Sequence, residues 1–229
     1  MELDGGRRAQ AVRVEAGDEL APAVQELEVG GRPALVVVGG ANGMSRGDLR
    51  RVDPVFRDVL APVAERLGAT VIDGGTDTGV MQLMGTARGE GGWRFPLVGV
   101  VVDELADALE PNHTHFVLVP GSEWGEEAPW LASVATVVAG ADASVTVLVN
   151  GGEIAFADVR HSLRAGRHVV VLDGSGRTAD VLAAAVRGER ADASATSLAA
   201  SGILHVVDPD DTQKVASLLD SLFDGTEAR

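Results

Sequence analysis

The chain has 229 residues, of which 45% are hydrophobic and 23% are charged, a composition typical of a globular domain with ample material for a core and unlike that of a disordered chain. Its 19 basic and 34 acidic residues give a formal net charge of −15, which disfavours sequence-independent binding of nucleic acid and attachment to an anionic membrane surface. Because there are no cysteines, disulfide frameworks, thiolate metal sites and cysteine nucleophiles are excluded.

The chain shows no sign of a secretory signal or a membrane span. Residues 1–13 alternate charged residues with glycine and contain no apolar stretch. The longest apolar runs, at 34–38, 98–102 and 145–149, are far shorter than the ~20 residues that cross a bilayer. We therefore expect a soluble cytoplasmic protein that does not associate with a membrane.

Short apolar runs rich in β-branched residues and bounded by glycine predict strands buried on both faces of a parallel sheet. In chain order, strands are predicted at 12–15, 34–39, 70–74, 97–102, 114–119, 144–150, 168–173 and 203–207. Helices are predicted between them at 18–27, 49–67, 79–89, 126–138, 153–163, 178–187 and 211–223. This alternation favours right-handed βαβ crossovers, so the predicted fold is α/β and Rossmann-like, with a mainly parallel sheet and helices on both faces.

Segment 188–201 is rich in Ala and Ser without a strong period and is predicted to be a loop or short linker. It is not expected to divide the chain, because the strand that follows it needs a sheet to join. We predict a single domain over residues 1–229, with its core at about 34–185 and a C-terminal strand and helix at 202–225.

Glycine-rich segments follow three of the predicted strands and lead into helices. Their residues are Gly39, Gly40, Ala41, Asn42 and Gly43; Gly74, Gly75, Thr76, Asp77, Thr78 and Gly79; and Asn150, Gly151, Gly152 and Glu153. Ligands of open α/β sheets bind outside the carboxyl ends of the strands, where free helix N–H groups favour anions. These residues are therefore predicted to hold a phosphate-bearing ligand. The alternative is that the glycines only turn the chain.

Two common nucleotide motifs are absent from these segments. None of them fits G-x-x-x-x-G-K-[ST], and G-x-G-x-x-G does not occur. Their absence disfavours a P-loop NTPase and an ordinary NAD dehydrogenase.

Four segments of the chain carry a family resemblance: TVIDGGTDTGVM at 70–81, NHTHFVLV at 112–119, VNGG at 149–152 and GSGRTADV at 174–181. In the same order, they resemble the TGGTxTGxM, NNHTHFILV, VEGG and GSGRxADV segments of the cytoplasmic N-terminal region of melastatin-type TRP channels. The chain thus resembles a bacterial stand-alone member of the SLOG superfamily, in its LSDAT branch, with a distant relation to LOG-type phosphoribohydrolases and Smf/DprA. The resemblance implies a Rossmann-like fold that binds a nucleotide-derived ligand, such as ADP-ribose or an NAD derivative, and it is compatible with a homodimer.

The LOG-type signature P-G-G-x-G-T-x-x-E falls on residues 150–158. Both phosphate-facing glycines are kept, but the G-T pair is Ile154-Ala155, the glutamate is Asp158, and residues 129–132 lack the upstream basic pair. Cleaving an N-glycosidic bond needs a carboxylate and an acid or cation at the leaving base. We therefore expect a sensor that binds without turnover, needs no cofactor and signals to an unidentified effector protein. The alternative is a phosphoribohydrolase or nucleosidase that uses Asp158 or Glu153.

Two further segments contribute predicted ligand-binding residues. Arg177 is predicted to hold a phosphate, together with the preceding Gly174, Ser175 and Gly176; the alternative is a solvated loop arginine. His113 and His115 share one face of a predicted strand. One of them is expected to pack on a ribose or base, unless both are satisfied by backbone bonds. The other three histidines lie in unrelated elements, so no metal site is expected.

The remaining side chains of interest leave alternatives open. Thr76 and Thr78 are predicted to bind phosphate or to cap a helix, and Asp77 to accept from a ribose hydroxyl or to cap. Trp124 and Trp130 either stack on a base or form an apolar lid. The acidic clusters at 123–127 and 208–211 are interpreted as solvated surface or helix starts.

Overall fold

A computed structural model describes residues 1–225. All eight strands join one parallel sheet in the order β1-β5-β4-β3-β2-β6-β7-β8. The strands are β1 Gln10–Arg13, β2 Ala34–Gly39, β3 Thr70–Asp73, β4 Leu97–Val102, β5 His115–Val119, β6 Ser144–Val149, β7 His168–Leu172 and β8 Leu204–Val207. The predicted Rossmann-like α/β fold is confirmed.

Helices cover both faces of the sheet. They are α1 Leu20–Glu26, α2 Arg46–Val55, α3 Ala61–Leu67, α4 Gly79–Gly91, α5 Ala128–Ala139, α6 Glu153–Arg164, α7 Arg177–Val186, α8 Ala193–Ala199 and α9 Thr212–Phe223. Helices α1 and α5–α8 form one core, and α2–α4 and α9 form the other. Successive strand residues point to opposite faces, so Val36 of β2 enters the first core and Val37 the second. In residues 1–225, no helix has the length and apolar character needed to cross a membrane.

The strand order places a crevice at the centre of the sheet. From β2 the chain adds β3 and β4 on one side, and after α5 it returns to place β6 on the other side of β2. The loops that follow β2 and β6 therefore lead to helices on opposite faces. Such a topological switch point is where open α/β sheets bind their ligands.

Two predicted segments differ from the structure by more than two residues at a boundary. Segment 188–201 is not only a loop but contains α8, because Asp192 accepts a hydrogen bond from the N–H of Ala195 at 2.8 Å and the side chains of Ala195 and Leu198 are buried in the first core. The predicted helix 49–67 begins earlier, at Arg46, where Ser45 and Asp48 form a capping box. A π-helical segment, Phe56–Leu60, joins α2 to α3.

Candidate functional site

The three glycine segments meet at the carboxyl edge of the central strands. We call them the first loop (residues 39–45), the second loop (74–78) and the third loop (150–152). The N–H of Gly40 donates to the carbonyl of Val149 at 3.0 Å, which joins the first loop to the end of β6. The hydroxyl of Thr78 donates to Asn42 Oδ1 at 2.8 Å, which joins the first loop to the second.

The approach between the first loop and α4 is so close that it requires glycine at the start of the helix. Gly79 has φ +55°, and a Cβ built on it would overlap the carbonyl oxygen of Gly40 and lie 2.6 Å from the Cα of Ala41. The N–H of Val80 donates to the same Gly40 carbonyl at 3.0 Å. The first and second loops are therefore fixed relative to each other.

Two sets of backbone N–H groups at this edge have no acceptor among residues 1–225. One set is the first-loop run Ala41, Asn42 and Gly43; the other, at the N-terminus of α6, is Gly152, Glu153 and Ile154. Helix α6 has no side-chain cap, and its dipole adds partial positive charge at this end. Together the two sets form an environment suited to an anion.

Arg177 lies between these two sets of donors. A Cβ built on Gly43 would collide with Nη1 of Arg177, and one built on Gly152 would lie 2.8 Å from Nη2. The side chain is exposed, and it takes part in none of the hydrogen bonds or ion pairs found within residues 1–225. Its backbone has φ +51°, a left-handed conformation that is costly for a residue with a Cβ. An unpaired guanidinium thus faces two groups of free amides.

A cavity of about 540 Å³ opens beside the first loop, bounded by the second loop, α5 and α6. Eight of the predicted site residues line it: Gly39, Ala41, Asn42, Gly74, Thr76, Asp77, Thr78 and Asp158. The rest of the wall is mainly apolar, formed by Val37, Val38, Met81, Leu105, Ala108, Leu131 and Ile154, with Trp124, Asp107 and Glu127. Trp124 is 56% exposed at the rim, whereas Trp130 packs against the first core.

The other predicted site residues lie outside the cavity. Four of them lie in or next to the first and second loops: Gly40, Gly43, Gly75 and Gly79. Eight lie in the third loop and the segments near it: Asn150, Gly151, Gly152, Glu153, Gly174, Ser175, Gly176 and Arg177. His113 precedes β5, and His115 is the first residue of β5. The predicted set therefore comprises cavity wall, anion edge and supporting residues, and Ala41 and Asn42 belong to both the cavity wall and the anion edge.

Residues 150 and 174–176 are supporting residues, because their polar groups are engaged within the protein. Asn150 is buried; its N–H donates to Ser175 Oγ at 2.7 Å and its Nδ2 to the Ser175 carbonyl at 2.6 Å. Asp180 Oδ1 accepts from the N–H of Gly174 at 2.7 Å and of Gly176 at 3.0 Å. These donors hold the turn that carries Arg177, and they are not free for a phosphate.

His113 does not reach the ligand cleft. Its ring is buried, with Nε2 2.8 Å from Asp73 Oδ1 and Nδ1 2.9 Å from Glu110 Oε2. Burial lowers the pKa of His113, but the charges of both carboxylates and their hydrogen bonds outweigh it and raise the pKa to about 9. The expectation that His113 packs on a ribose or base therefore fails, since neither ring nitrogen is free.

His115 also lies away from the cavity. Its Nδ1 is 2.7 Å from Thr114 Oγ1, and burial lowers its pKa to about 4. Since β5 begins at His115, the two histidines do not share a strand face.

The ion group around His113 instead supports one wall of the cavity. The N–H of Glu110 donates to the carbonyl of Gly75, and that of Asp77 to the carbonyl of Ala108, both at 2.9 Å. Segment 105–110 is thereby held along the second loop. It is this segment that presents Leu105 and Asp107 to the cavity.

The pairing of Asp158 with a second acidic side chain is the feature of the cavity that sequence analysis missed. Asp158, 9% exposed, lines the cavity beside Glu127, and no donor within residues 1–225 reaches its carboxylate. Burial, followed by the charge of Glu127, raises the pKa of Asp158 to about 8; burial also raises the pKa of Glu127. Of the two interpretations of 123–127, Glu127 fits the helix start, because it is the N-cap residue of α5, while its side chain lines the cavity. The helical spacing of Glu127 and Leu131, both in the wall, was the available signal.

Asp158→Asn is expected to stabilise the fold at alkaline pH. Because the folded pKa lies above the ordinary value of 3.8, the wild type loses stability as pH rises from about 4 to about 8, and the amide variant does not. The difference is expected to be near zero at pH 4 and about 2–5 kcal/mol at pH 8.5. Urea unfolding at both pH values measures it. Asp107→Asn, at an exposed position of the same wall, is the control. If the free energy of unfolding responded equally to pH in both variants, the raised pKa of Asp158 would be contradicted.

Comparisons with known proteins agree with this architecture. Residues 32–217 match the family model LSDAT_prok, described as SLOG in TRPM, prokaryote. The chain is 25% identical over 196 residues to transient receptor potential cation channel subfamily M member 2 of Mus musculus, covering 65% of this chain and 13% of the channel. The protein of the same name from Rattus norvegicus is 26% identical over 200 residues, again with 13% of its length covered. The chain thus spans a small part of these relatives.

Two similar solved structures are proteins linked by name to the molybdenum cofactor. The molybdenum cofactor carrier protein of Chlamydomonas reinhardtii aligns with a TM-score of 0.58 at 20% identity, over 85% of this chain and 99% of that one. The molybdenum cofactor binding protein of Rippkaea orientalis aligns with a TM-score of 0.57 at 12% identity, over 83% and 98%. At these identities the likeness shows a shared fold.

Proposed function

Because the chain belongs to the family described as SLOG in TRPM, prokaryote, we propose that this ligand-binding domain takes a nucleotide-derived small molecule, such as ADP-ribose or an NAD derivative, and binds it without turnover. The observation that carries the proposal is the unpaired Arg177 guanidinium between Gly43 and Gly152. Beside it lie the free N–H groups of the first loop and of α6.

The phosphates of the ligand bind at this anion edge. In a chain of net charge −15, an anion is repelled at long range, so binding needs strong local donors. A guanidinium offers paired N–H groups that match phosphate oxygens. The amides of 41–43 and 152–154 complete the coordination of a diphosphate.

The sugar and base of the ligand enter the cavity. Its volume of about 540 Å³ lies within the range of 300–1,000 Å³ usual for small-molecule sites, and its apolar wall with a few polar groups is typical of them. Trp124 at the rim offers an exposed ring for stacking. Asp77, which accepts from Gln82 Nε2 at 3.0 Å, has a second oxygen to accept from a ribose hydroxyl.

Binding of ADP-ribose and of NAD tests the proposal. Each is expected to raise the midpoint of thermal unfolding, by the equivalent of about 2.7 kcal/mol at 100 times its dissociation constant, and to bind less tightly at 300 mM than at 50 mM NaCl. Calorimetry and thermal shift measure both effects. Adenosine, which lacks phosphate, is the control. Absence of binding by both nucleotides, or equal binding by adenosine, would reject the proposal.

The acid pair in the cavity favours a second candidate function, an N-glycosidic hydrolase. Asp158 and Glu127 supply two carboxyl groups whose pKa values are raised, which meets the need for both a carboxylate and an acid. Base release from AMP and NAD, followed by chromatography, tests it. Release that disappears in Asp158→Ala would establish the enzyme, and stabilisation without release would establish the sensor.

We further propose that the domain acts in the cytoplasm and passes ligand binding to an effector protein, with no resident metal or cofactor and no nucleic-acid or membrane partner. Free N–H donors, a tryptophan at the rim and a buried pair of acids are together typical of a site that binds a small molecule. We also propose a homodimer, which light scattering tests.

A further inference from the structure

The cavity and the anion edge have opposite polarity. Four acidic side chains line the cavity, Asp77, Asp107, Glu127 and Asp158, and within residues 1–225 no lysine, arginine or histidine joins them in the lining. The cation of the site, Arg177, lies outside the cavity at the anion edge. A ligand that fills both therefore carries negative charge at one end only.

Asp158 is the most buried of the four acids, and its carboxylate accepts no hydrogen bond from residues 1–225. It lies in the second turn of α6, which packs against α5, and it is 9% exposed at the cavity wall. Among residues 1–225, no N–H or O–H group donates to it. A buried carboxylate without a partner is costly, so a ligand that supplies positive charge there gains affinity.

Glu127 faces the same space and strengthens the demand for a cation. It precedes α5, and its Oε2 accepts from the N–H of Gly125 at 2.8 Å. The remaining groups that face the cavity with charge, Asp77 and Asp107, are also acidic. Among residues 1–225, no side chain in the wall carries a compensating positive charge.

We propose, resting on the proposed function, that the group entering the cavity is a positively charged nitrogen heterocycle, held by Asp158 and Glu127 while the phosphates lie at Arg177. The ligand class is therefore a nucleotide with a cationic base, of which a pyridinium nucleotide is the simplest example. A neutral base of the same shape leaves both acids without a counter-charge, and a phosphate is repelled from the cavity.

NAD⁺ and NADH form a matched pair of probes, because they share the diphosphate and the adenosine and differ in the charge of one ring. The wild type is expected to bind NAD⁺ at least 10-fold more tightly than NADH. Binding of NAD⁺ at pH 7 is also expected to release protons, measured by calorimetry in buffers of different ionisation enthalpy, because the cation favours the carboxylate form of Asp158.

Variants separate this inference from the proposed function. In Asp158→Asn with Glu127→Gln, the NAD⁺ to NADH affinity ratio is expected to fall to about one, with NADH affinity little changed. Glu123→Gln, at an exposed residue outside the cavity, is the control and keeps the wild-type ratio. Equal affinities in the wild type, with binding still weakened by Arg177→Gln, would overturn the cationic base and leave the proposed function standing. Absence of binding by NAD⁺ and NADH while ADP-ribose binds would overturn the cationic base alone, and absence of binding by all three would reject the proposed function itself.

Discussion

Replacing His113 with alanine is expected to destabilise the fold by about 3–5 kcal/mol, the cost of leaving buried charge without its partner. The ring joins Asp73 and Glu110, whose side chains are almost fully buried. Without it, Asp73 Oδ1 keeps the N–H of Gly75 at 2.7 Å, and Asp73 Oδ2 has no partner in the described residues even in the wild type. The variant therefore leaves two buried carboxylates, those of Asp73 and Glu110, without the positively charged partner that they share.

The effect of this substitution is expected to depend on pH. Because the pKa of His113 is raised from 6.5 to about 9, the stability that its charge contributes is fully present below pH 6.5 and is lost as pH rises through 9. The difference between wild type and His113→Ala should therefore be larger at pH 6.5 than at pH 9.5. Urea unfolding at both pH values measures it. His161→Ala, in the last turn of α6, is the control with a small expected loss, and a comparable loss in that variant would contradict a special role for His113.

Sequence patterns predicted strands β2–β7 well because these strands are buried on both faces. The edge strand β1 is mostly exposed and lies at Gln10–Arg13 rather than at the predicted 12–15. Runs such as Leu97–Val102 of β4 consist of apolar residues that are all buried, so composition alone marks them. Helix α8 was missed because its formation depends on packing against other elements, chiefly α7, and this packing cannot be read from its own composition. Its seven residues are mostly Ala and Ser, which give no period, and only the burial of Ala195 and Leu198 fixes them.

The sequence predicts where the candidate site lies, but it does not show which polar groups of the site are free and which are engaged within the protein. Glycine after a strand marks the carboxyl edge, so the three loops could be found. Whether a polar group there is free or engaged depends on partners that the sequence does not reveal. Asn150 and Gly174 belong to segments of the same kind as the first loop, yet Ser175 and Asp180 engage their donors. Glu127 sits in an acidic run that is typical of surface, and only the packing of α5 beside α6 brings it to the cavity.

Arg177→Gly is expected to weaken the binding of ADP-ribose or NAD at least 10-fold and to leave the fold as stable as the wild type or more stable. A tenfold loss corresponds to about 1.4 kcal/mol, a modest value for hydrogen bonds between a guanidinium and phosphate. The stability result follows from the backbone. At φ +51° a side chain costs roughly 1–2 kcal/mol, which glycine avoids, although part of the gain is offset by its greater freedom in the unfolded chain.

Arg177→Ala separates the two effects, because it removes the guanidinium but keeps the strained Cβ. We expect both variants to lose the same affinity, together with the salt dependence that accompanies it. The free energy of unfolding of Arg177→Ala is expected to be about 1 kcal/mol lower than that of Arg177→Gly. Arg50→Gln, which removes an exposed positive charge from α2, is the control for net charge and should keep wild-type affinity. Calorimetry at two salt concentrations gives the affinity of each variant and its salt dependence, and urea unfolding gives the free energy of unfolding of each. Unchanged affinity in both Arg177 variants would contradict binding of the phosphates at this edge of the sheet. Lost affinity in Arg177→Gly, with its stability preserved, would mean that the strained backbone at Arg177 serves binding.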